Sequence, residues 1–318
     1  MKKIVSINLG LVLLFLCGCA DTQENKDTRF LLDTVVTLTA ACDSNTLDGA
    51  FVLCENYENK LSRTVKDSEV YALNHSDGFV DVSEDTRQII ERAVYYGDLS
   101  GGKFDITIYA VSSLWDFNSK NIPSRDEIAE ALKNVDYQSI EISGNSVNLN
   151  GKQIDLGGIA KGYIADKLLA YFKKNDVSEG IIDLGGNIAV WGDRDYTVGI
   201  KKPFSNGEIA ATVKVCNKTV VTSGIYERYI ESDNTVYHHI LDKKTGYSCD
   251  TDLYSATIIA DSSLDADALS TVCVLMGLEK ATEIIESIDN VEAIFIDNNQ
   301  KLHCTSGLKN QNGSFYVK

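Results

Sequence analysis

The chain is short of several things, and each shortage excludes something. Only two prolines occur in 318 residues, so Pro-rich linkers and polyproline segments are absent. Lys and Arg together number 30 against 46 Asp and Glu, a net charge of −16. A surface of that sign is a poor general binder of nucleic acid, and a phosphorylated ligand would need help from a metal cation. There is no GxxxxGK[ST] loop, no GxGxxG fingerprint, no GxSxG elbow and no CxxC pair. Long apolar runs are missing beyond the first residues, which argues against a polytopic membrane protein. What remains, 44% hydrophobic and 24% charged, is the mix of an ordinary globular chain with a sizeable core.

The one apolar run is an address. Met1-Lys2-Lys3 precedes an apolar stretch from Ile4 to Leu16, closed by Cys17-Gly18-Cys19. A positive start followed by a stretch too short to span a bilayer is an export signal. Leu16 to Cys19 resembles a bacterial lipobox, so residues 1–18 are expected to be a lipoprotein signal peptide and Cys19 the lipidated residue. A plain secretory peptide is the alternative. Residues 19–28 are polar and read as a tether. The chain is then expected in the cell envelope, lipid-anchored outside the cytoplasmic membrane. Six further cysteines, Cys42, Cys54, Cys216, Cys249, Cys273 and Cys304, show no metal-site spacing, and either disulfides or free thiols fit them.

Residues 29–318 read as a single α+β domain of mixed sheets and helices without internal repeats. Arg29 to Ala41 alternates as one strand. Helices are predicted over Leu47–Leu61, after the N-cap Ser83, and after Ser124, where Ser124 and Glu127 form a capping-box pattern. Ser139–Leu149 reads as a hairpin around Gly144-Asn145, and Lys152–Leu156 as a short strand. A helix to about Asn175 follows Gly157-Gly158. Strands Gly180–Leu184 and Asn187–Trp191 flank a second Gly-Gly. Helices are predicted over Ser262–Met276 and Glu279–Ser287, and a strand over Glu292–Ile296.

Several segments carry chemistry. In Ile154–Asp166, IDLGGIAKGYIAD, glycines between a strand and a helix let backbone N–H groups approach an anion, and Lys161 in the first helical turn can neutralise phosphate. A tight turn alone would explain the glycines but not Lys161. Asp183-Leu184-Gly185-Gly186-Asn187 either flanks the same ligand or relieves backbone strain. Asp267 and Thr271 share one helical face and are hard oxygen ligands suited to Mg2+. Taken alone, Asp267 also fits as a partner of the helix dipole, and Thr271 as a hydroxyl bonded to its own helix. His238 and His239, adjacent on a strand, point to opposite faces, so one faces a site and the other the core or solvent. Thr222–Tyr229 reads as a turn entering a strand, with Ser223 in turn or ligand-contact chemistry.

Together these segments resemble one family, the ApbE family of FAD:protein FMN transferases. The matching stretches are KFDITIYAVSSLWDF from Lys103, IDLGGIAKGYIADK from Ile154, IIDLGGNIAVWG from Ile181, VTSGIYERY from Val221, HHILDKKTGY from His238 and DADALST from Asp265. They keep the family's order and spacing. The resemblance implies Mg2+-dependent cleavage of FAD, transfer of FMN to a Thr (or Ser) hydroxyl of an acceptor flavoprotein in a redox or electron-transfer system, and release of AMP. It places Asp105 and Thr107 at the flavin nucleotide, Lys161 and Tyr254 along FAD, and His239 in catalysis. Mg2+ falls to Asp267, Thr271 and the backbone carbonyl of Ile164. Leu32-Asp33-Thr34 replaces the family's frequent Met-Gly-Thr. Thr64 falls where some members carry Tyr over the flavin, which bears on whether FMN is transferred or FAD merely hydrolysed. Asp242-Lys243 replaces Asp-Pro, read as a peripheral change. An FAD pyrophosphatase and a non-catalytic flavin-binding lipoprotein are the competing readings.

Overall fold

The computed structural model describes residues 24–233 and 235–317. The leader and Cys19 lie outside the described residues. The chain opens with β1 (Glu24–Leu31) and β2 (Thr34–Ala41), a hairpin rather than the single predicted strand. The break falls at Leu32-Asp33, where φ is +56° and +55°. Two successive residues of positive φ make the hairpin turn whose twist matches its strands, and neither residue is the glycine that would announce it. The strand also reaches back into the expected tether, since Glu24–Thr28 pair with Thr37–Ala41.

Helix α1 (Ser44–Leu61) follows, then short α2 (Glu69–Asn74), β3 (Val80–Asp81) and α3 (Glu84–Leu99). Ser83 caps α3 by accepting from Thr86 N, as its sequence predicts. A 3-10 turn at Ile106–Ile108 leads into α4 (Tyr109–Ser112), and Ser124 with Glu127 closes the full capping box of α5 (Arg125–Leu132). The predicted hairpin is present as β4 (Glu141–Ser143) and β5 (Ser146–Asn148). Lys152–Leu156, however, is not a strand. Asn74 holds it instead, donating to Ile154 O at 2.9 Å and accepting from Ile154 N at 2.7 Å, and Asp155 N donates to Ile106 O. A side-chain amide here substitutes for a sheet neighbour.

After α6 (Ala160–Lys174) come β6 (Gly180–Leu184), β7 (Asn187–Trp191), β8 (Tyr196–Lys201), β9 (Ile209–Val215) and β10 (Thr219–Gly224). Thr222–Gly224 therefore ends a strand rather than opening one. Then follow β11 (Tyr229–Ser232), β12 (Thr235–His238), β13 (Leu253–Ala260), α7 (Ser263–Met276), α8 (Leu278–Glu286), β14 (Glu292–Asp297), β15 (Leu302–Cys304), β16 (Leu308–Gln311) and β17 (Ser314–Val317).

The main sheet is antiparallel, in the order β1-β2-β6-β7-β10-β13-β14-β15. One face packs on α1, α3, α6 and α7 through Leu38, Phe51, Ile90, Leu168, Phe172, Ile258 and Val272. The other face packs Val190, Val220, Ile259 and Ile294 against Val198, Val213 and Phe315 of a four-stranded sheet, β16-β17-β9-β8. Helices, sheet and second sheet thus form three layers, an α+β arrangement in which β13 is buried almost throughout because both of its faces are covered. A third cluster around Val111, Trp115, Ile128 and Leu241 holds α4 and α5 beside the β11–β12 hairpin. Among the described residues no helix is long and apolar enough to cross a membrane.

Candidate functional site

Helices α6 and α7 build the centre of the site. They cross at Gly162, where a Cβ would collide with the Ser263 carbonyl and with Asp267. Only glycine permits that approach. Asp166, two turns into α6, caps α7 from outside by accepting from Ser263 N at 2.8 Å and Leu264 N at 3.0 Å. With α7 fixed this way, Asp267 accepts from Gly162 N at 2.8 Å and is buried. Thr271, one turn on, faces Gly158 and lies 3.2 Å from Ser223 Oγ. Ser223 also shares a 2.7 Å hydrogen bond with Ser270. The Gly157-Gly158 turn, the start of α6, Ser223, Asp267 and Thr271 therefore converge.

Electrostatics extends the cluster. Burial pushes the Asp267 carboxyl up, and Lys161 and the Gly162 N–H oppose that shift. Burial pushes His239 down to about 4, with Arg228, His238 and Lys161 adding to the effect. Glu227 opens to solvent on one side, yet desolvation raises its carboxyl against the pull of Lys161, Lys201 and Arg228. Lys161 thus acts on a carboxylate, a second carboxyl group and an imidazole at once. Glu227, Arg228 and Lys201 have no assigned role in the sequence reading. Glu227 and Arg228 lie inside VTSGIYERY and Lys201 well ahead of it, and spacing alone does not bring them to Lys161.

The two histidines separate as strand geometry requires. His238 ends β12, buried, its backbone pinned by Ser248, and burial pushes it down to about 4. His239 N donates to Arg228 O at 3.1 Å, and the residue is half-buried. The Nδ1 atoms of both rings are buried without a hydrogen-bond partner among the described residues.

Other predicted residues sit differently. Asp105 and Thr107 are buried and fully engaged by protein groups. Asp105 Oδ1 accepts from Thr107 N and Thr107 Oγ1, and Oδ2 accepts from Tyr137 N and Lys243 Nζ. Thr107 Oγ1 in turn accepts from Asp136 N. Together these bonds lock the loop before α4. Lys243 is accordingly not peripheral. Ile164 turns its side chain into the core, and its carbonyl lies in the interior of α6, where the helix supplies its own donor.

Leu32 and Thr64 lie on two loops beside the glycine turns. Leu32 N donates to Glu58 Oε1 at 2.8 Å, and Thr34 packs where Gly185 leaves no room for a Cβ. This brings the β1–β2 turn to the second Gly-Gly. Thr64 is exposed and bonded only to Ser62, but its neighbour Arg63 pairs with Asp155 at 3.3 Å, just ahead of Gly157. Tyr254, half-buried at the start of β13, accepts Ile225 N–H on its carbonyl at 3.0 Å.

Among the described residues no three His, Cys, Asp or Glu side chains cluster as a metal site. A site built from one carboxylate and one hydroxyl still suits Mg2+, which binds through one or two carboxylates and completes its shell with phosphate and water. A buried carboxylate whose charge is disfavoured is the group such a cation would keep ionised.

Comparison with known proteins identifies the family. The sequence profile of the ApbE family matches residues 32–295. The chain is 32% identical to the FAD:protein FMN transferase of Treponema pallidum (strain Nichols), over 94% of this chain and 93% of that one. It is 33% identical to the FAD:protein FMN transferase of Klebsiella pneumoniae (strain 342), over 80% and 83%. The solved structure of the ApbE protein of Thermotoga maritima superimposes with a TM-score of 0.82 at 28% identity, covering 89% of this chain and 97% of that one. The chain belongs to the ApbE family.

Proposed function

We propose that this protein transfers the FMN moiety of FAD to a Thr (or Ser) hydroxyl of an acceptor flavoprotein and releases AMP, using Mg2+. The observation that carries the reading is the convergence at the start of α6, where Asp267 accepts from Gly162 N at 2.8 Å and Thr271 lies against Gly158 and 3.2 Å from Ser223 Oγ. The activity named for the Treponema and Klebsiella relatives supports it.

The acceptor oxygen bonds to the FMN phosphorus. The bond from that phosphorus to the bridging oxygen breaks, and the oxygen leaves with AMP. Lys161 offsets charge on the diphosphate, which a protein of net charge −16 would otherwise repel. His239, neutral at pH 7 because burial holds it near 4, takes the hydroxyl proton or orients the hydroxyl. Asp267 and Thr271 would hold Mg2+, with the Ile164 carbonyl, whose second lone pair is left over by its helix bond, as a third ligand and phosphate and water in the remaining positions. That ion would neutralise the diphosphate and draw charge from phosphorus. No nucleophilic residue of the enzyme is required.

The acceptor is proposed to be an FMN-binding domain of a redox or electron-transfer system. We place the protein in the cell envelope, anchored by lipid at Cys19. The beginning of β1 only a few residues later, at Glu24, supports a short link. Cys19→Ala would then move the protein from the detergent to the aqueous phase.

The deciding experiment is a mass spectrum of an acceptor domain after incubation with the protein, FAD and Mg2+. A gain of one FMN, abolished by chelator, is expected. Release of FMN and AMP without that gain for any acceptor would make the protein a pyrophosphatase. Binding of FAD with no products at all would make it a flavin-binding protein.

A further inference from the structure

Four aromatic rings gather where the two sheets meet the site. Phe204, in the loop between β8 and β9, lies 6.0 Å from Tyr226, 5.4 Å from Tyr229 and 5.2 Å from Tyr254, ring centre to ring centre. The interplanar angles are 65°, 79° and 83°, so every contact is edge-to-face and the flat faces are not stacked on one another.

These rings are not simply core. Phe204 is 43% exposed and Tyr229 37%. Phe204 also has φ of +56°, a conformation a bulky side chain rarely adopts without an imposed constraint.

The cluster touches the site through a short physical chain. Tyr226 folds back over Gly224, where any Cβ would collide with its ring. Gly224 follows Ser223, which bonds Thr271. Lys201, on the same hairpin as Phe204, is one of the cations acting on Glu227. The β8–β9 hairpin therefore brings an exposed ring and a positive charge, from the second sheet, to the edge of the Asp267–Thr271 centre.

We propose that Phe204 is a substrate-contacting, specificity-determining residue that stacks on one of the two flat heteroaromatic ends of the dinucleotide. The inference rests on the flavin-transferase reading and adds a contact to it. A π-face ligand fits three partners that steady the Phe204 ring by its surroundings while leaving it open to solvent.

The two ends of the dinucleotide can be tested apart, because FMN and ADP each carry one of them and neither contains the FMN–AMP linkage that reacts. Affinity of the full chain for each is measured by calorimetry with Mg2+ present, for the wild type and for Phe204→Ala, Phe204→Tyr and Phe204→Leu. Stacking of this kind predicts that Phe204→Ala weakens one half about tenfold and leaves the other within about twofold. Phe204→Tyr is expected to restore the affinity and Phe204→Leu not to, although both fill space. Loss of affinity for neither half, equal loss for both, or rescue by Leu as good as by Tyr would overturn the inference while leaving the transferase reading intact. A wild-type chain that binds none of FAD, FMN and ADP would overturn both.

Discussion

Asp105 and Lys243, 138 residues apart in the chain, meet in an ion pair of 3.1 Å whose acidic side chain is only 1% exposed. The pair joins the loop before α4 to the segment after His239, so it bears on the site by holding two of its segments together. Lys243→Met would leave a buried carboxylate with three of its four donors. A loss of about 2 kcal/mol is expected, because an uncompensated buried charge costs more than the pair itself contributes. Thermal denaturation should show a melting point lower by several degrees, and an unchanged melting point would refute the role.

A second hub predicts a pH dependence. Asp85 accepts from Tyr163 OH at 2.6 Å and Tyr57 OH at 3.2 Å, and pairs with Lys167 at 2.9 Å and Lys60 at 3.0 Å. Burial works to raise its carboxyl, but Tyr163, Lys167 and Lys60 together hold it well below the ordinary range. A depressed folded value means that the stability this group supplies is fully present above its unfolded value of about 3.9 and is lost as pH falls below it. Asp85→Asn should therefore be less stable than the wild type at pH 7, and the gap should narrow as pH falls from about 4 toward 2. Denaturant melts across that range check the sign, and a gap that widened in acid would be the wrong one.

The acid at the centre behaves differently. Asp267→Asn keeps the shape and the Gly162 contact but removes the charge. Transfer should fall by a factor of at least about 100, the size expected when a charge-stabilising group is lost. In the wild type, Mg2+ with ADP should raise the melting temperature, and in Asp267→Asn it should not. Near-normal transfer in the variant would remove Asp267 from the metal site.

His239 supplies the clearest separation of binding from chemistry. His239→Ala is expected to lose transfer while keeping FAD affinity within a few-fold. Because burial holds the imidazole near 4 rather than the ordinary 6.5, its acid limb in kcat/KM should lie near pH 4. The base form is lost only below that value. A limb at the ordinary position would show that the ring is solvated when it works, and lost FAD affinity in His239→Ala would make it a binding residue.

Much of this molecule could be read before its structure. Ser83 and Ser124 announced their helices because caps are local chemistry, and Asp267 and Thr271 could be placed on one face because a helix has a fixed period. The turn at Leu32-Asp33 was hidden because two ordinary residues adopt positive φ there. The anchoring of Asp105 is illegible for a different reason: its partners Tyr137 and Lys243 are brought by the fold, and no spacing links them. Glu227 is likewise illegible in spacing, since only the fold brings the charges of Lys161, Lys201 and Arg228 to bear on it. Local patterns reveal the parts, while the contacts that spacing hides depend on what the sheets and helices bring together.

The β1–β2 hairpin sets a height. Its eight-residue first strand spans about 26 Å at the usual rise of an extended chain. Glu24 stands at one end, and the Leu32-Asp33 turn, seated against Gly185 through Thr34, stands at the other. Strand pairing to β2 makes this stretch a stiff strut rather than a string. If the chain ahead of Glu24 is fastened to a bilayer, the reaction centre is carried on a mast, and acceptors would be sorted by how far above the surface they display the hydroxyl to be modified.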